Sequence, residues 1–244
     1  VGLDKIDLQE ASRRGIVVFN TPGGNAVAAA ELTFALLLAL VRKLVQGHLA
    51  LAQGEWERQR YVGTELAGKK LGVVGVGRIG TLVAERARAF GMQILAHDPF
   101  LSDERAAAEG FTKLELHDLL RRADILTLHL PLSDETRGLI GSEEIALMQR
   151  GALLVNCARG GLVDESALTR ALQSGHLAGA ALDVYEEEPP SAGHPLLSME
   201  QVVHTPHLGA STKEAKSKVG IAAARSIVEF LREGSTAGAV NSPD

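Results

Sequence analysis

Three side chains that could handle a small hydroxy acid each follow an apolar run typical of a buried strand: Arg159, Glu188 and His207. A guanidinium can grip a carboxylate bidentately and polarise a carbonyl group. An imidazole can accept or donate a proton near neutral pH. A carboxylate beside that imidazole can orient it and stabilise its charged form. The three residue types therefore suit oxidation or reduction at a hydroxyl-bearing carbon, provided that the fold brings them together.

Each of these residues also has a structural interpretation, and the spacing alone leaves both interpretations open. Arg159 could bind a helix terminus, and His207 could be a buried histidine bonded to the backbone. Glu188 could be one of three solvated acids before a proline turn.

A metal site is not expected at the same place. His204, His207 and Cys157 could suggest ligands, but Pro206 breaks helical i,i+3 geometry between the histidines, and no further ligand cluster accompanies them. We interpret Cys157 as a small residue that lines a groove, not as a nucleophile.

A glycine-rich turn follows the apolar run Leu71–Val74 and precedes a helical pattern over Ile79–Phe90. Gly75, Gly77 and Gly80 have the GxGxxG spacing. In such a turn, the first glycine permits the bend, the second allows a pyrophosphate to approach, and the third lets strand and helix pack closely. The helix N-terminus then offers N–H groups and a positive dipole to the phosphates. This order of elements predicts a dinucleotide site.

An acidic residue completes this pattern. The apolar run Gln93–Ala96 ends at His97 and Asp98, and Asp98 lies 18 residues after Gly80, close to the spacing of the carboxylate that binds a ribose hydroxyl. A carboxylate there would repel a 2′-phosphate, which favours NAD over NADP. The alternative is an ordinary glycine turn with Asp98 as a surface cap.

Predicted strands and helices, which must position these residues, alternate from Leu71 onward. This alternation predicts an α/β fold of the Rossmann type, a doubly wound parallel sheet. Ligands bind outside the carboxyl ends of such strands, where Arg159, Glu188 and His207 all fall. The predicted strands are 71–74, 93–96, 125–130, 152–156, 177–184 and 201–204, and the predicted helices are 79–90, 116–122, 142–149, 166–173 and 211–232.

The N-terminal part departs from this alternation. A capping box at Asp7–Glu10 opens a short helix that Gly15 closes, and a strand is predicted at Ile16–Phe19. Two helices are then predicted at 25–42 and 44–53. We expect 1–21 to be the remnant of a second, smaller substrate-binding domain, 22–207 to be the NAD-binding domain, and 208–244 to be a helix, opened by a capping box at Ser211–Glu214, that returns to the substrate domain.

Composition limits the partners. The chain has 244 residues, 45% of them apolar, and a net charge of −5, which gives no basic surface for nucleic acid or a membrane. One cysteine, Cys157, cannot form an internal disulfide, so a reducing, cytoplasmic compartment is favoured. The apolar helix 26–41 is interpreted either as a subunit contact or as core.

Five stretches resemble the D-isomer-specific 2-hydroxyacid dehydrogenases across essentially the whole chain. They are VGVGRIG from Val74, HDP from His97, NCARGGLVDE from Asn156, ALDVYEEEPP from Ala181 and TPHLGASTKEA from Thr205. TPGGNAVAAAELTFALLLAL from Thr21 and GEWERQRYVGTEL from Gly54 are similar to members that oxidise 3-phosphoglycerate to 3-phosphohydroxypyruvate with NAD in serine biosynthesis. The resemblance implies a homodimer or homotetramer, and a chain that begins near the end of the family's N-terminal block and is expected to be weakly active.

The resemblance also implies roles for individual residues. It implies that His207 takes the hydroxyl proton, that Glu188 supports His207, and that Arg159 grips the substrate carboxylate. The expected NAD contacts are Gly75, Gly77, Arg78, Ile79, Gly80, Asp98, Leu130, Pro131, Cys157, Ala158, Arg159, Asp183, His207, Gly209 and Ala210.

Two other functions are compatible with the same motifs. One is another family enzyme, such as a glyoxylate/hydroxypyruvate reductase, and the other is an NAD-sensing corepressor that shares the fold. Fold alone does not separate them.

Overall fold

The computed structural model describes residues 2–3 and 6–243, and the chain forms two compact units. One unit comprises Val1–Ala29 with Ala210–Asp244, and the other comprises Ala30–Gly209. These boundaries lie eight residues after the predicted 21/22 and two residues after the predicted 207/208, and the assignment to a substrate domain stays a prediction. The predicted segments 1–21 and 208–244 include four residues outside the described part, which are Val1, Asp4, Lys5 and Asp244.

The larger unit contains a seven-stranded sheet in the order β3-β2-β1-β4-β5-β6-β7. Every neighbouring pair in it is parallel, and the strand order reverses direction at β1, as in a doubly wound fold. The fold class predicted from the alternating pattern is therefore confirmed. The strands are β1 Lys70–Val74, β2 Gln93–His97, β3 Thr112–Lys113, β4 Ile125–Leu128, β5 Ala152–Asn156, β6 Leu177–Leu182 and β7 Val202–His204.

Helices of the larger unit connect these strands and pack on the two faces of the sheet. The helices in the described residues of both units are α1 Leu8–Arg13, α2 Ala26–Val41, α3 Leu44–Ala52, α4 Arg78–Ala89, α5 Asp103–Ala108, α6 Leu116–Arg122, α7 Ser142–Leu147, α8 Glu165–Gln173 and α9 Lys213–Glu233, with 3₁₀ turns at Arg58–Tyr61 and Pro195–Ser198. Of these, α1 and α9 belong to the smaller unit. None of the helices in this part of the chain combines the length and apolarity that crossing a membrane requires.

Successive residues of β1 face opposite sides of the sheet, and a separate apolar core lies on each side. Val73 packs with Phe34 and Leu37 of α2 on one side, while Val74 packs with Leu120 of α6 on the other. The part of α2 in this unit is therefore core. Its burial accounts for the apolar run that the sequence also allowed as a subunit contact.

In the smaller unit, the predicted strand Ile16–Phe19 is wrong. Phe19 forms only an isolated antiparallel bridge with Ala239. The N–H of Val18 donates to the side-chain oxygen of Asn241 at 2.7 Å, in place of a strand partner. A short apolar run becomes a strand only where a neighbouring segment forms a series of backbone hydrogen bonds with it. The local sequence does not reveal whether such a neighbour exists.

The predicted capping box at Ser211–Glu214 is also displaced by one residue. Thr212 is the N-cap of α9, and its hydroxyl accepts from the N–H of Ala215 at 3.0 Å. Glu214 then occupies the second helical position, so it does not have the position of the reciprocal acid in a capping box. Asp7 does cap α1, by accepting from the N–H of Glu10 at 2.8 Å.

Candidate active site

The turn after β1 has the geometry that a phosphate-binding loop needs. Gly75 has a φ of +88°, and a Cβ there would lie 2.7 Å from the His129 carbonyl oxygen. A Cβ on Gly80 would overlap the carbonyl oxygen of Gly75. Gly77, the N-cap of α4, has nothing within 4 Å of the Cβ position. Packing within the protein thus requires glycine at two positions, while Gly77 faces open space beside a helix N-terminus, which fits a pyrophosphate.

Asp98 lies directly after β2, beside this glycine turn. Its Oδ2 accepts from the N–H of Val76 at 2.9 Å, and its Oδ1 accepts from the N–H of Phe100 at 2.8 Å. The carboxylate therefore caps local backbone groups, as the structural interpretation expected. The same two bonds hold it against the turn, where it retains lone pairs for a ribose hydroxyl. Its contact with the cofactor stays a prediction.

Arg105 is a residue near this turn that sequence reasoning missed. Its Nη2 donates to the Val76 carbonyl oxygen and to Thr81 Oγ1, each at 2.9 Å. The residue lies on α5, which was not predicted. Ser102 caps this helix by accepting from the N–H of Arg105, so a serine followed by two acids was the available signal.

Glu188 and His207 lie in direct contact. Nδ1 of His207 is 2.8 Å from Oε2 of Glu188, and the two side chains are 47% and 27% exposed. An ionised carboxylate can only accept a hydrogen bond, so Nδ1 carries the proton of this bond. In the neutral imidazole, Nε2 is then the basic nitrogen, and it is available to a substrate hydroxyl.

The loop that carries His207 is organised by Asp183, a buried residue just after β6. One carboxylate oxygen of Asp183 accepts from Thr205 Oγ1 at 2.6 Å and from the N–H of Leu208 at 2.7 Å, and the other accepts from the N–H of Gly209 at 2.8 Å. His207 itself has a φ of +54°, which costs of the order of 1 kcal/mol for a residue with a Cβ. Asp183 thus holds the histidine in a conformation that the chain would not otherwise favour.

Arg159 follows β5 in a loop that a second buried residue fixes. Asn156 donates from Nδ2 to the Arg159 carbonyl oxygen at 2.8 Å and accepts from the N–H of Ala158 at 3.0 Å. A Cβ on the next residue, Gly160, would overlap the carbonyl oxygen of Tyr185. The arginine loop therefore packs directly against the segment that leads to Glu188. Asn156 was missed, although a polar residue ending an apolar run was a usable signal.

The remaining predicted contacts occupy several environments. Leu130 packs near Gly75, Ile79 is half-buried, and Arg78 and Pro131 are exposed. Gly209 lies in the larger unit, whereas Ala210 begins the C-terminal segment of the smaller one. Their roles toward NAD stay predictions.

Cys157 is buried in the core, and this burial raises the pKa of its thiol to about 12. A thiol with so high a pKa carries almost no thiolate near neutral pH and is a poor nucleophile, as expected for Cys157, while its contact with NAD stays a prediction. Among the described residues, no group of three or more histidine, cysteine, aspartate or glutamate side chains could hold a metal ion.

His129 begins the loop after β4, and burial lowers the pKa of its imidazole to about 3. Its Nε2 lies 3.0 Å from Thr127 Oγ1. The native state therefore binds fewer protons at this site than the unfolded state, in which an ordinary histidine titrates near 6.5. The resulting stability is complete above about pH 6.5 and decreases as the pH falls toward 3.

We expect the free energy of unfolding to fall by about 2–3 kcal/mol through this histidine between about pH 7.5 and about pH 4.5. In His129→Gln, which does not titrate, this part of the pH dependence is absent. Urea unfolding of both proteins at the two pH values measures the difference. Equal decreases in both proteins would show that His129 does not contribute.

Comparison with known proteins identifies the family. Residues 34–209 match the family model for the D-isomer specific 2-hydroxyacid dehydrogenase, NAD binding domain. The chain belongs to the D-isomer specific 2-hydroxyacid dehydrogenases. Its larger unit is the family's NAD-binding domain, as the glycine turn and the alternation of strands and helices predicted.

Individual relatives agree with this assignment. The chain is 47% identical over 243 residues to D-3-phosphoglycerate dehydrogenase of Bacillus subtilis. This alignment covers 100% of this chain and 46% of the relative. A glyoxylate reductase from Paecilomyes thermophila has a TM-score of 0.91 at 36% identity, covering 98% of this chain and 73% of that one. D-lactate dehydrogenase from Aquifex aeolicus, complexed with NAD and lactic acid, has a TM-score of 0.89 at 31% identity. The match covers 100% of this chain and 78% of that one. The chain spans about half the length of the curated relatives it matches.

Proposed function

We propose that the protein oxidises 3-phospho-D-glycerate to 3-phosphohydroxypyruvate with NAD. The observation that carries this proposal is the contact between Glu188 and His207 at the carboxyl edge of an NAD-binding sheet. The choice of substrate is supported by the names of relatives that are 47–48% identical over the full chain.

In this mechanism, Nε2 of His207 accepts the proton of the C2 hydroxyl group. The bond from Nδ1 to Glu188 stabilises the imidazolium that results, because the carboxylate carries the opposite charge. Arg159, held by Asn156, binds the substrate carboxylate and the C2 oxygen. NAD, when bound, supplies the hydride acceptor for this oxidation. Gly77 and the N–H groups at the start of α4 are the groups of this chain that would hold the pyrophosphate.

The first test is the formation of NADH from 3-phosphoglycerate, compared with glycerate, which lacks the phosphate. The proposal expects NADH from the phosphorylated acid and at least about tenfold less from glycerate, since a lost charge-assisted contact costs more than 1.4 kcal/mol. Equal rates with both acids, or reaction with neither while glyoxylate is reduced, would overturn the choice of substrate.

A glyoxylate reductase is the second candidate. The specific observation in its favour is the TM-score of 0.91 to an enzyme of that name. Reduction of glyoxylate by NADH, measured in the same preparation, separates the two enzymes.

Asp98 is expected to select NAD over NADP. In Asp98→Asn, the carbonyl oxygen keeps an acceptor for the backbone but the charge is lost, so the ratio of the NADP to the NAD dissociation constant should fall by at least tenfold. Isothermal titration of the parent and the variant with each cofactor measures this ratio. An unchanged ratio would show that Asp98 only caps the backbone.

We also infer that the chain forms a homodimer or a homotetramer. Leu44, Leu49 and Leu51 of α3 are 62%, 54% and 56% exposed, and Trp56 is 74% exposed. Several exposed large apolar side chains in one short segment of the chain are typical of subunit contacts. A monomeric mass by light scattering at high protein concentration would contradict this inference.

A further inference from the structure

Glu165, Tyr185 and His194 form a cluster of titratable side chains that the proposed reaction does not use. Glu165 is the first residue of α8, and its Oε2 lies 2.9 Å from Nε2 of His194. The two side chains are only 14% and 20% exposed. The ring of His194 meets the ring of Tyr185 edge-on, with centroids 5.6 Å apart. Since Tyr185 belongs to the segment that connects β6 to Glu188, the cluster adjoins that segment.

The second carboxylate oxygen of Glu165 binds that segment directly. Oε1 accepts from the backbone N–H of Glu186 at 2.7 Å. Glu165 thus divides its two oxygens between His194 and the backbone two residues before Glu188. Because α8 is packed into the core through Leu168 and Leu172, this bond ties the segment to a rigid element.

The position of Glu188 depends on the same segment. Its Oε1 accepts from the N–H of Tyr185 at 3.3 Å, while its Oε2 binds Nδ1 of His207. The Tyr185 carbonyl oxygen, on the other side, is the group against which Gly160 packs. A shift of Tyr185 or Glu186 would therefore move Glu188 and the arginine loop together.

The cluster is not arranged for stability alone. The Tyr185 hydroxyl and His194 Nδ1 are buried without a hydrogen-bond partner among the described residues, and such groups destabilise a fold. Burial raises the pKa of the Glu165 carboxyl above its usual range, and it raises the pKa of Tyr185 to about 12. Both oxygens of this largely buried acid bind specific partners, as suits a residue that orients another.

We propose that Glu165, itself oriented by His194, is a positioning residue that fixes the backbone of Tyr185–Glu188 so that the Glu188 carboxylate reaches His207. The inference rests on the proposed function, since Glu188 and His207 are the acid–base pair of that reaction. Glu165 belongs to a different βα unit from Glu188. It would act only through Glu188 and would touch no reacting atom.

The test compares Glu165→Gln with Glu165→Met. Glutamine keeps an oxygen for the Glu186 N–H, whereas methionine has a similar length without an acceptor. The readout is the nuclear magnetic resonance signal of the His207 Nδ1 proton, which a hydrogen bond to a carboxylate shifts to low field. We expect the signal to persist in Glu165→Gln and to be lost in Glu165→Met. Glu188→Gln identifies the signal, because it removes the charged acceptor itself.

Turnover provides a second arm. In an active preparation, Glu165→Met should lower kcat at least tenfold while the KM for NAD stays within twofold. It should have little further effect in a Glu188→Gln background, because the two residues act through one bond. If Glu165 had a merely structural role, the losses of kcat from Glu165→Met and Glu188→Gln would multiply in the double variant. Glu165→Gln would then lose as much activity as Glu165→Met.

An unchanged His207 signal in Glu165→Met would overturn the inference. If Glu165→Met does not fold, His194→Phe serves the same purpose, since it keeps the ring contact with Tyr185 and removes the partner of Glu165. Persistence of a sharp signal in that variant would then overturn the inference. The signal requires no substrate, so failure of the proposed function, seen as absent NADH formation by the parent chain, is distinguishable from failure of this inference.

Discussion

Gly80→Ala is expected to lower the free energy of unfolding by more than about 3 kcal/mol, because the new methyl group would overlap a backbone carbonyl oxygen that cannot rotate away. Gly77→Ala is the matched control, three residues earlier in the same turn. Nothing lies within 4 Å of its Cβ position, and its φ of −70° suits any residue. Its free energy of unfolding should therefore stay within about 0.5 kcal/mol of the parent value.

The two variants should also differ in what they do to cofactor binding. Gly77→Ala should weaken NAD binding at least about tenfold, since its methyl group points to where the backbone must approach the pyrophosphate. Urea unfolding and isothermal titration measure the two quantities. A stable Gly80→Ala protein, or a Gly77→Ala protein with parental NAD affinity, would contradict this assignment of the turn.

His207→Gln is expected to reduce the rate of 3-phosphoglycerate oxidation about 10²- to 10⁴-fold, because glutamine offers no base for the hydroxyl proton. The dissociation constant for NAD should change by less than about threefold. Steady-state NADH formation and titration with NAD measure the two effects. We expect the loss mainly in kcat, since in the proposed step the imidazole acts on the substrate, while glutamine keeps a polar side chain for the expected contact of His207 with NAD.

His204→Gln is the control for this substitution. His204 is an exposed residue at the end of β7, three residues before His207, and no step of the mechanism uses it. Its variant should keep the parental rate. If His207→Gln retained more than a tenth of the parental rate, the base would have to be another group.

The sheet was predictable because its strands are short apolar runs separated by helical patterns. Leu71–Val74, Ala152–Asn156 and the run from Leu177 were all correctly located to within a few residues. The failures have physical causes. Ile16–Phe19 has strand composition but finds only an isolated bridge, and α5 is a short helix whose register depends on the cap at Ser102.

The reactive side chains of the site could be predicted from the sequence, but the contacts that hold them in place could not. Arg159, Glu188 and His207 could be nominated because their residue types suit a reaction and because each follows a strand. The contact between Glu188 and His207 became visible only with the fold, since it joins loops 19 residues apart. The contact of Asp183 with NAD stays a prediction, and its hydrogen bonds to Thr205, Leu208 and Gly209 are a supporting role that no local pattern reveals.

The location of β7 has a practical consequence for handling the protein. This strand has three residues and lies at the edge of the sheet, whereas the strand before the glycine turn lies near the middle. Edge elements open at lower free energy than central ones, and opening of β7 would carry His207 away from Glu188 while the turn stays folded. Molecules in which only β7 has opened would then still be retained by an NAD affinity column, through the glycine turn. Retention on such a column therefore does not measure the fraction of molecules with an intact contact between Glu188 and His207.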